Sequence, residues 1–347
     1  MKKTLLLTTA LIGSLLIGSV QAQTTITGEL KMAFKSSDGF GTAATNSGFV
    51  SERQINFANK GKLNNGLDYA AGFSLEQEDS NAIDGGEGNY FNIIAGNTTV
   101  TLGMDHILNG DYAIVPRAGA PMNEEIGGIG GVVATPVRSD SRAGLQYGQS
   151  LGDNNEAMGL GVIQTIPSVG RLALNFVPKA DDKAVVGDTA TPTASGKSAY
   201  SAFFVGDLGV KGLQVALERA QNEKNSTDLV DARVTALGAS YTMGDFSFGA
   251  ERQKFRDASK AETETTEFGL TYKINNNASA GVGTIKTEGK TAAGAKVTGG
   301  DEEIKYLQIG YNLGGISTQF SYIDAENVAF TSTNDSKAYV VKFATKF

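Results

Sequence analysis

Few residues in this chain could carry out chemistry. His106 is its single histidine, preceded by Asp105 and followed shortly by Asp111. A carboxylate that orients an imidazole beside a serine is the arrangement of a hydrolase, with the imidazole as general base. No serine near these residues stands in a Gly-x-Ser-x-Gly turn, so the group reads as a polar cluster at the base of a loop. One histidine and no cysteine exclude sites that need two imidazoles or a thiolate. Two acidic groups, Asp301-Glu302-Glu303 and Glu262, Glu264, Glu267, offer carboxylate oxygens to hard cations. They read better as solvated loop rims, and no cofactor or metal site is expected.

The elements that position these residues begin with an address. Lys2 and Lys3 start it, an apolar stretch covers 5–17, and Val20-Gln21-Ala22 supplies a small-residue cleavage site. That pattern predicts a secretory signal peptide over 1–22 and a mature chain from Gln23. Its apolar core is shorter than the roughly 20 residues of a spanning helix. Removing it leaves 325 residues and, with the two lysines gone, shifts the net charge from −7 to −9. An acidic chain without a basic stripe is a poor partner for nucleic acid. An exported chain without cysteine has no disulfide framework, so burial and hydrogen bonding must hold it.

Beyond the leader no apolar run approaches 18 residues. Alternation recurs instead. Tyr339, Val341, Phe343, Thr345 and Phe347 fall on one side of an extended strand, and Lys342, Ala344 and Lys346 on the other, because successive side chains point to opposite faces. The same period runs through Ile26 to Phe34, Leu67 to Leu75, Phe268 to Ile274 and Ile316 to Tyr322. Connections come in two sizes. Tight turns such as Asn64-Asn65-Gly66, Ala95-Gly96-Asn97, Met243-Gly244-Asp245 and Asn275-Asn276-Asn277 are built from residues that tolerate positive φ. The links between them, including 257–264, 288–301 and 325–335, are longer and polar. Short turns alternating with long loops mark a transmembrane β-barrel, whereas a soluble sandwich has no reason to alternate them.

At about 20 residues per strand and connection, the mature chain holds about 16 strands. Counting segments gives 17, because 140–205 contains four plausible strands. Both chain ends belong at the short-turn rim, so an even total is required. The expected fold is all-β: a transmembrane antiparallel β-barrel of 16 strands occupying 23–347.

The residues then resemble the general Gram-negative porin family over nearly the whole mature chain. The likeness rests on 23–37 as first strand, Ser51-Glu52-Arg53 opening the second, Asn64-Asn65-Gly66-Leu67-Asp68-Tyr69 at the first turn, Thr99-Val100-Thr101-Leu102-Gly103 leading into the third loop, and the terminal Phe347. The resemblance implies a homotrimer in the outer membrane, in contact with lipid and lipopolysaccharide. It implies a third loop, here 106–137, folded into the lumen as a constriction, and Phe347 as an assembly signal. It also implies an acidic side of the constriction at Asp105, Asp111, Glu124 and Glu125, facing a basic side at Lys31, Lys35, Arg53, Arg138 and Arg142.

Opposed charges of this kind orient dipolar solutes and disfavour apolar ones. Two departures thin the basic row. Arg53 shares strand parity with Ile55 and Phe57, which aims it at lipid unless a bulge intervenes, and 89–94 has no arginine. The implied function is passive diffusion of small hydrophilic solutes and ions, with weak cation preference from the acidic chain and no enzymatic step. A substrate-specific channel would need aromatics along the lumen, yet Trp is absent and most Phe and Tyr fall on the outward parity. An outer-membrane hydrolase would need His106 as base. A plugged structural barrel would need an extra domain for which this length leaves no room.

Overall fold

A computed structural model describes residues 23–38, 46–77, 84–104, 112–116, 118, 146–147, 158–178, 198–223, 230–257 and 259–347. The predicted leader 1–22 lies outside them. The wall is a closed barrel whose strands are β1 (Gln23–Ser37), β2 (Asn46–Lys62), β3 (Asp68–Gln77), β4 (Asp84–Ala95), β5 (Thr98–Met104), β8 (Met158–Ile166), β9 (Gly170–Val177), β10 (Ala199–Gly206), β11 (Leu213–Asn222), β12 (Ala232–Met243), β13 (Phe246–Arg256), β14 (Glu262–Lys273), β15 (Ala278–Lys290), β16 (Glu302–Asn312), β17 (Ile316–Glu326) and β18 (Ser336–Lys346). Each pairs antiparallel with its neighbours in sequence, and β1 closes on β18. Two-residue strands β6 (Tyr112–Ala113) and β7 (Gln146–Tyr147) pair with each other outside the wall.

The wall therefore has sixteen strands, and the odd count of 17 is corrected. Among the described residues of 140–205, three strands, β8 to β10, enter the wall, and β7 pairs with β6 apart from it. Direct pairing of β5 with β8 decides the difference, since it leaves no place in the wall for a strand between them. The polar links are also shorter than expected. Strands β13 and β14 run on until only 257–261 joins them, so Glu262 and Glu264 belong to a strand.

The tight turns form as their chemistry requires. Gly66, Gly96, Gly244 and Gly314 have φ of 86°, 60°, 61° and 93°, values that glycine adopts without a Cβ penalty. The Asn275 side-chain oxygen accepts from the backbone N–H groups of Asn277 and Ala278 at 2.8 and 2.9 Å, and that of Asn312 from Gly314 at 2.8 Å. Such side-chain caps replace ladder bonds where the chain reverses.

Alternation sorts the side chains onto two faces. Ile26, Leu237 and Phe268 are 55%, 54% and 54% exposed on the outside, and Phe246–Tyr272, Phe34–Phe49 and Tyr322–Tyr339 pair there as tilted rings 4.7 to 5.2 Å apart. An apolar surface running round a whole wall is far beyond the patch a soluble monomer carries. Above this belt, toward the long-link rim, the outer face turns ionic. Arg252 pairs with Glu264 at 2.6 Å, Lys254 with Glu262 at 2.9 Å and Lys305 with Glu326 at 3.2 Å.

The ring closes at the last residue. Backbone bonds join Gly28 N to Phe347 O at 2.7 Å and Phe347 N to Gly28 O at 2.9 Å. The Phe347 ring lies over Gly28 so closely that a Cβ there would stand 2.3 Å from its Cζ. Replacing Gly28 with leucine should therefore pry the final pair apart, at about 1–3 kcal/mol of overpacking. A lowered melting temperature of the detergent-folded barrel, with the heat-sensitive electrophoretic band retained at low temperature, is the expected result.

On the long-link rim, Asp301 bonds Lys296 at 2.8 Å and Lys286 at 3.1 Å. Burial raises its pKa, but the hydrogen bonds from Lys296 and Lys286 outweigh it and hold the carboxyl below the ordinary 3.8. That contribution is complete above the ordinary value and is lost as pH falls through the lower folded one. Amide exchange over 291–300 should thus be faster in Asp301→Asn than in the parent at pH 7, and equal in the two once Asp301 is protonated.

Candidate functional site

Cross-strand pairing fixes which residues face inward, because directly opposed residues share a face. Lys342 and Val340 of β18 are buried inside, and they oppose Ala33 and Lys35 of β1. Lys31 and Lys35 therefore point into the barrel. Through β2 the same face carries Glu52, Gln54 and Asn56, opposed to Lys31, Glu29 and Thr27, and through β3 it carries Ser74 and Glu76.

These groups are bonded across the strands. Lys31 forms an ion pair with Glu52, Glu29 lies 3.6 Å from Lys346, Gln54 donates to Glu76 at 3.3 Å, and Ser74 donates to Asn56 at 2.7 Å. The first three strands thus present a polar inner wall in which a carboxylate stands opposite a lysine. Polar pairing on a face hidden from lipid but open to solvent is the pattern of a wet lumen.

Arg53 does not join this wall. It opposes Leu30 and Gln77 in an unbroken register and is exposed on the outer face. No bulge between β1 and β2 turns it inward, so its parity with Ile55 and Phe57 decides its direction. Asp105, His106, Asp111, Glu124, Glu125, Arg138 and Arg142 lie outside the described residues. The acidic groups considered for cations diverge. Glu262 and Glu264 face outward to Lys254 and Arg252, whereas Glu267 is buried inside and accepts from the Tyr306 hydroxyl at 3.0 Å. Asp301 and Glu303 hold separate lysines, while Glu302 is buried on the inner face. Among the described residues no group of three His, Cys, Asp or Glu converges on a metal position.

Sequence reasoning missed Glu52, Glu29 and Glu76. The signal was available, since antiparallel pairing about the first link brings Glu52 opposite Lys31. It also missed how the third loop is seated. Of the 106–137 span, residues 114–116 and 118 are described in detail, and all are at the inner wall. Ile114 is buried with Phe203, Val205, Ala216, Val234 and Ala236 of β10, β11 and β12. Gln319 of β17, on the inner face beside Lys342, donates to the Ala118 carbonyl at 3.0 Å.

Glycines supply the room. Gly249 and Gly269 oppose each other on β13 and β14, and a Cβ at Gly269 would meet Val115 Cγ1 at 2.4 Å, one at Gly249 the Pro116 ring at 2.8 Å and one at Gly281 the Ala118 Cβ at 3.3 Å. The segment lies where the wall has no side chains. Gly269→Val should push 114–118 off the wall at a cost of about 1–3 kcal/mol. The expected reading is an altered single-channel conductance in a barrel that still folds and inserts; unchanged conductance would separate this segment from the conducting path.

The chain matches the family model described as Gram-negative porin over residues 8–329. No curated protein matches it by sequence. Among solved structures it is similar to the anion-selective porin from Comamonas acidovorans, with TM-score 0.65 at 12% identity, covering 94% of this chain and 100% of that one. It is similar to the trimer form of OmpT, an outer membrane protein of Vibrio cholerae, with TM-score 0.59 at 13% identity over 94% and 99% of the two chains. It is also similar to Salmonella typhi OmpF in complex with daunomycin, with TM-score 0.58 at 12% identity over 94% and 98%. At these identities the structures speak for the fold, and the family match adds the lineage: this chain belongs to the Gram-negative porin family.

Proposed function

We propose that the protein is a general diffusion channel of the outer membrane, passing small hydrophilic solutes and ions with weak preference for cations. The observation that carries this reading is the inner wall of β1 to β3, where Glu52 answers Lys31 and Glu29 and Glu76 add further acid. Carboxylates along a water-filled path raise the local concentration of cations, and the mature chain is acidic as a whole. The Comamonas acidovorans porin is anion-selective, so selectivity does not follow from the fold and has to come from these side chains.

The described inward aromatics favour a general channel over a substrate-specific one. Among the described residues Phe203 and Tyr306 of the wall and Phe330 of the link after β17 are buried, and these three offer no open ladder for a sugar. Export through removal of 1–22, assembly as a homotrimer, and the joint placement of Asp105, Asp111, Glu124, Glu125, Lys35, Arg138 and Arg142 at the constriction complete the proposal. No catalytic role is assigned to His106.

Reversal potential across a planar bilayer under a salt gradient tests it. The parent channel should prefer cations by a few-fold, Lys31→Gln should strengthen that preference, and Glu52→Gln should weaken it. Anion preference in the parent, or substitutions that move the potential the opposite way, would contradict the reading.

A further inference from the structure

The link between β17 and β18 holds a strained aromatic residue inside the barrel. Of the five described non-glycine residues with positive φ, Phe330 alone is buried. It ends a single-turn 3-10 helix, Val328–Phe330, that follows Asn327, and Asn327 and Phe330 have φ of 53° and 52°. Asparagine tolerates that conformation, whereas a bulky aromatic residue adopts it at a cost. Such strain persists only where surrounding contacts impose it.

The contacts form a slot made of glycine. Gly289 of β15 shares the inward parity of buried Ile285, and a Cβ there would stand 3.0 Å from the Phe330 ring. In the link after β15, Gly299 at φ 120° lies so close to the Phe330 carbonyl that a Cβ would overlap it, and a Cβ at Gly300 would meet the Asn327 side chain at 3.2 Å. Asn327 donates to the Asp301 backbone carbonyl at 3.0 Å, and Val328 is buried with Ile304, Ile323 and Val340. Further bonds run within the link itself: Val328 N to Asn334 O at 2.8 Å, Asn334 N to Thr331 O at 2.9 Å and Asn327 N to the Asp335 carboxylate at 3.0 Å. The stretch 327–335 is thus a preformed unit docked through Val328 and Phe330.

We propose that 327–335 is a strap poised to close the channel from the long-link side: docked along the wall it leaves the path open, and released it lies across the lumen. Two opposed effects set the balance. Burial of Val328 and Phe330 holds the docked state, while the positive φ of Phe330 favours release. Geometry supplies the reach, because 327–335, tied at both ends to adjacent strands, extends about 15 Å when folded back on itself. Position supplies the effect. Val328 is buried with Val340, which opposes Lys35, so the strap stands on the long-link side of the Lys31–Glu52 pair and a released strap crosses the way to it. The proposal rests on the reading of the barrel as a channel and adds a moving part to it.

Single-channel recording of the full barrel in planar bilayers at constant low voltage tests the strap. Phe330→Ala removes the wedge, and Gly289→Val fills the slot from the wall side and leaves the strap as it is. Each should raise the fraction of time spent closed at least about ten-fold over the parent. A chain shortened by 329–333 loses the wedge altogether, and its new ends are already joined by the bond from Val328 N to Asn334 O. It should close less often than the parent, and Gly289→Val added to it should change nothing.

Closures that neither Phe330→Ala nor Gly289→Val increases, or that Gly289→Val provokes equally in the shortened chain, would overturn the strap while the conductance step left the channel reading in place. Where a substitution prevents insertion, the shortened chain decides: closing as often as the parent, it too would overturn the strap. A parent protein that forms no channels would overturn the underlying reading and the strap with it.

Discussion

Everything in this molecule depends on one constraint: a β-strand in hydrocarbon must find a partner for every backbone N–H and C=O. An open sheet leaves two edges, and in lipid neither water nor side chains can cover them. The wall meets the constraint by closing β1 on β18, down to the reciprocal bonds between Gly28 and Phe347. Once the ring is closed, strand alternation does the rest. One parity has to face acyl chains and the other encloses a space, so a single period-two pattern specifies both a membrane surface and a lumen.

Part of the inner wall is then covered by packing. Residues 114–116 and 118 lie against the inner wall, Val115, Pro116 and Ala118 at β13, β14 and β15 where Gly249, Gly269 and Gly281 leave a track without side chains, and Ile114 on an inward apolar patch of β10 to β12. A second apolar cluster, with Val328 packed on Ile304, Ile323 and Val340, brings the link between β17 and β18 over the inner wall. Inward apolar clusters thus mark where segments of the links are held against the wall, while the inner face of β1 to β3 is polar and ion-paired.

Much of this was legible in the sequence because the rules that govern a barrel are local. Period two along Tyr339 to Phe347, or Ile26 to Phe34, needs no knowledge of tertiary contacts, and neither do turns such as Met243-Gly244-Asp245. The direction of Arg53 was also implicit in its parity with Ile55 and Phe57. What could not be read locally involved partners distant in sequence. Glu52 becomes significant only when paired with Lys31, Gly269 only when Val115 arrives, and Gly28 only when the chain's last residue folds over it. Gln146–Tyr147, within the region where four strands were expected, pairs with Tyr112–Ala113, a pairing that no periodicity encodes.

The central claim is that opposite parities of one strand meet opposite solvents. The chain has no native cysteine, so single cysteines placed along 264–272 of β14 and spin-labelled in lipid vesicles give a direct reading of each position. Collision with oxygen should peak at Phe268, Leu270 and Tyr272, and collision with a water-soluble nickel chelate at the intervening positions. If both parities collided equally with the chelate, or the pattern vanished between detergent and bilayer, the faces would not be lipid and lumen.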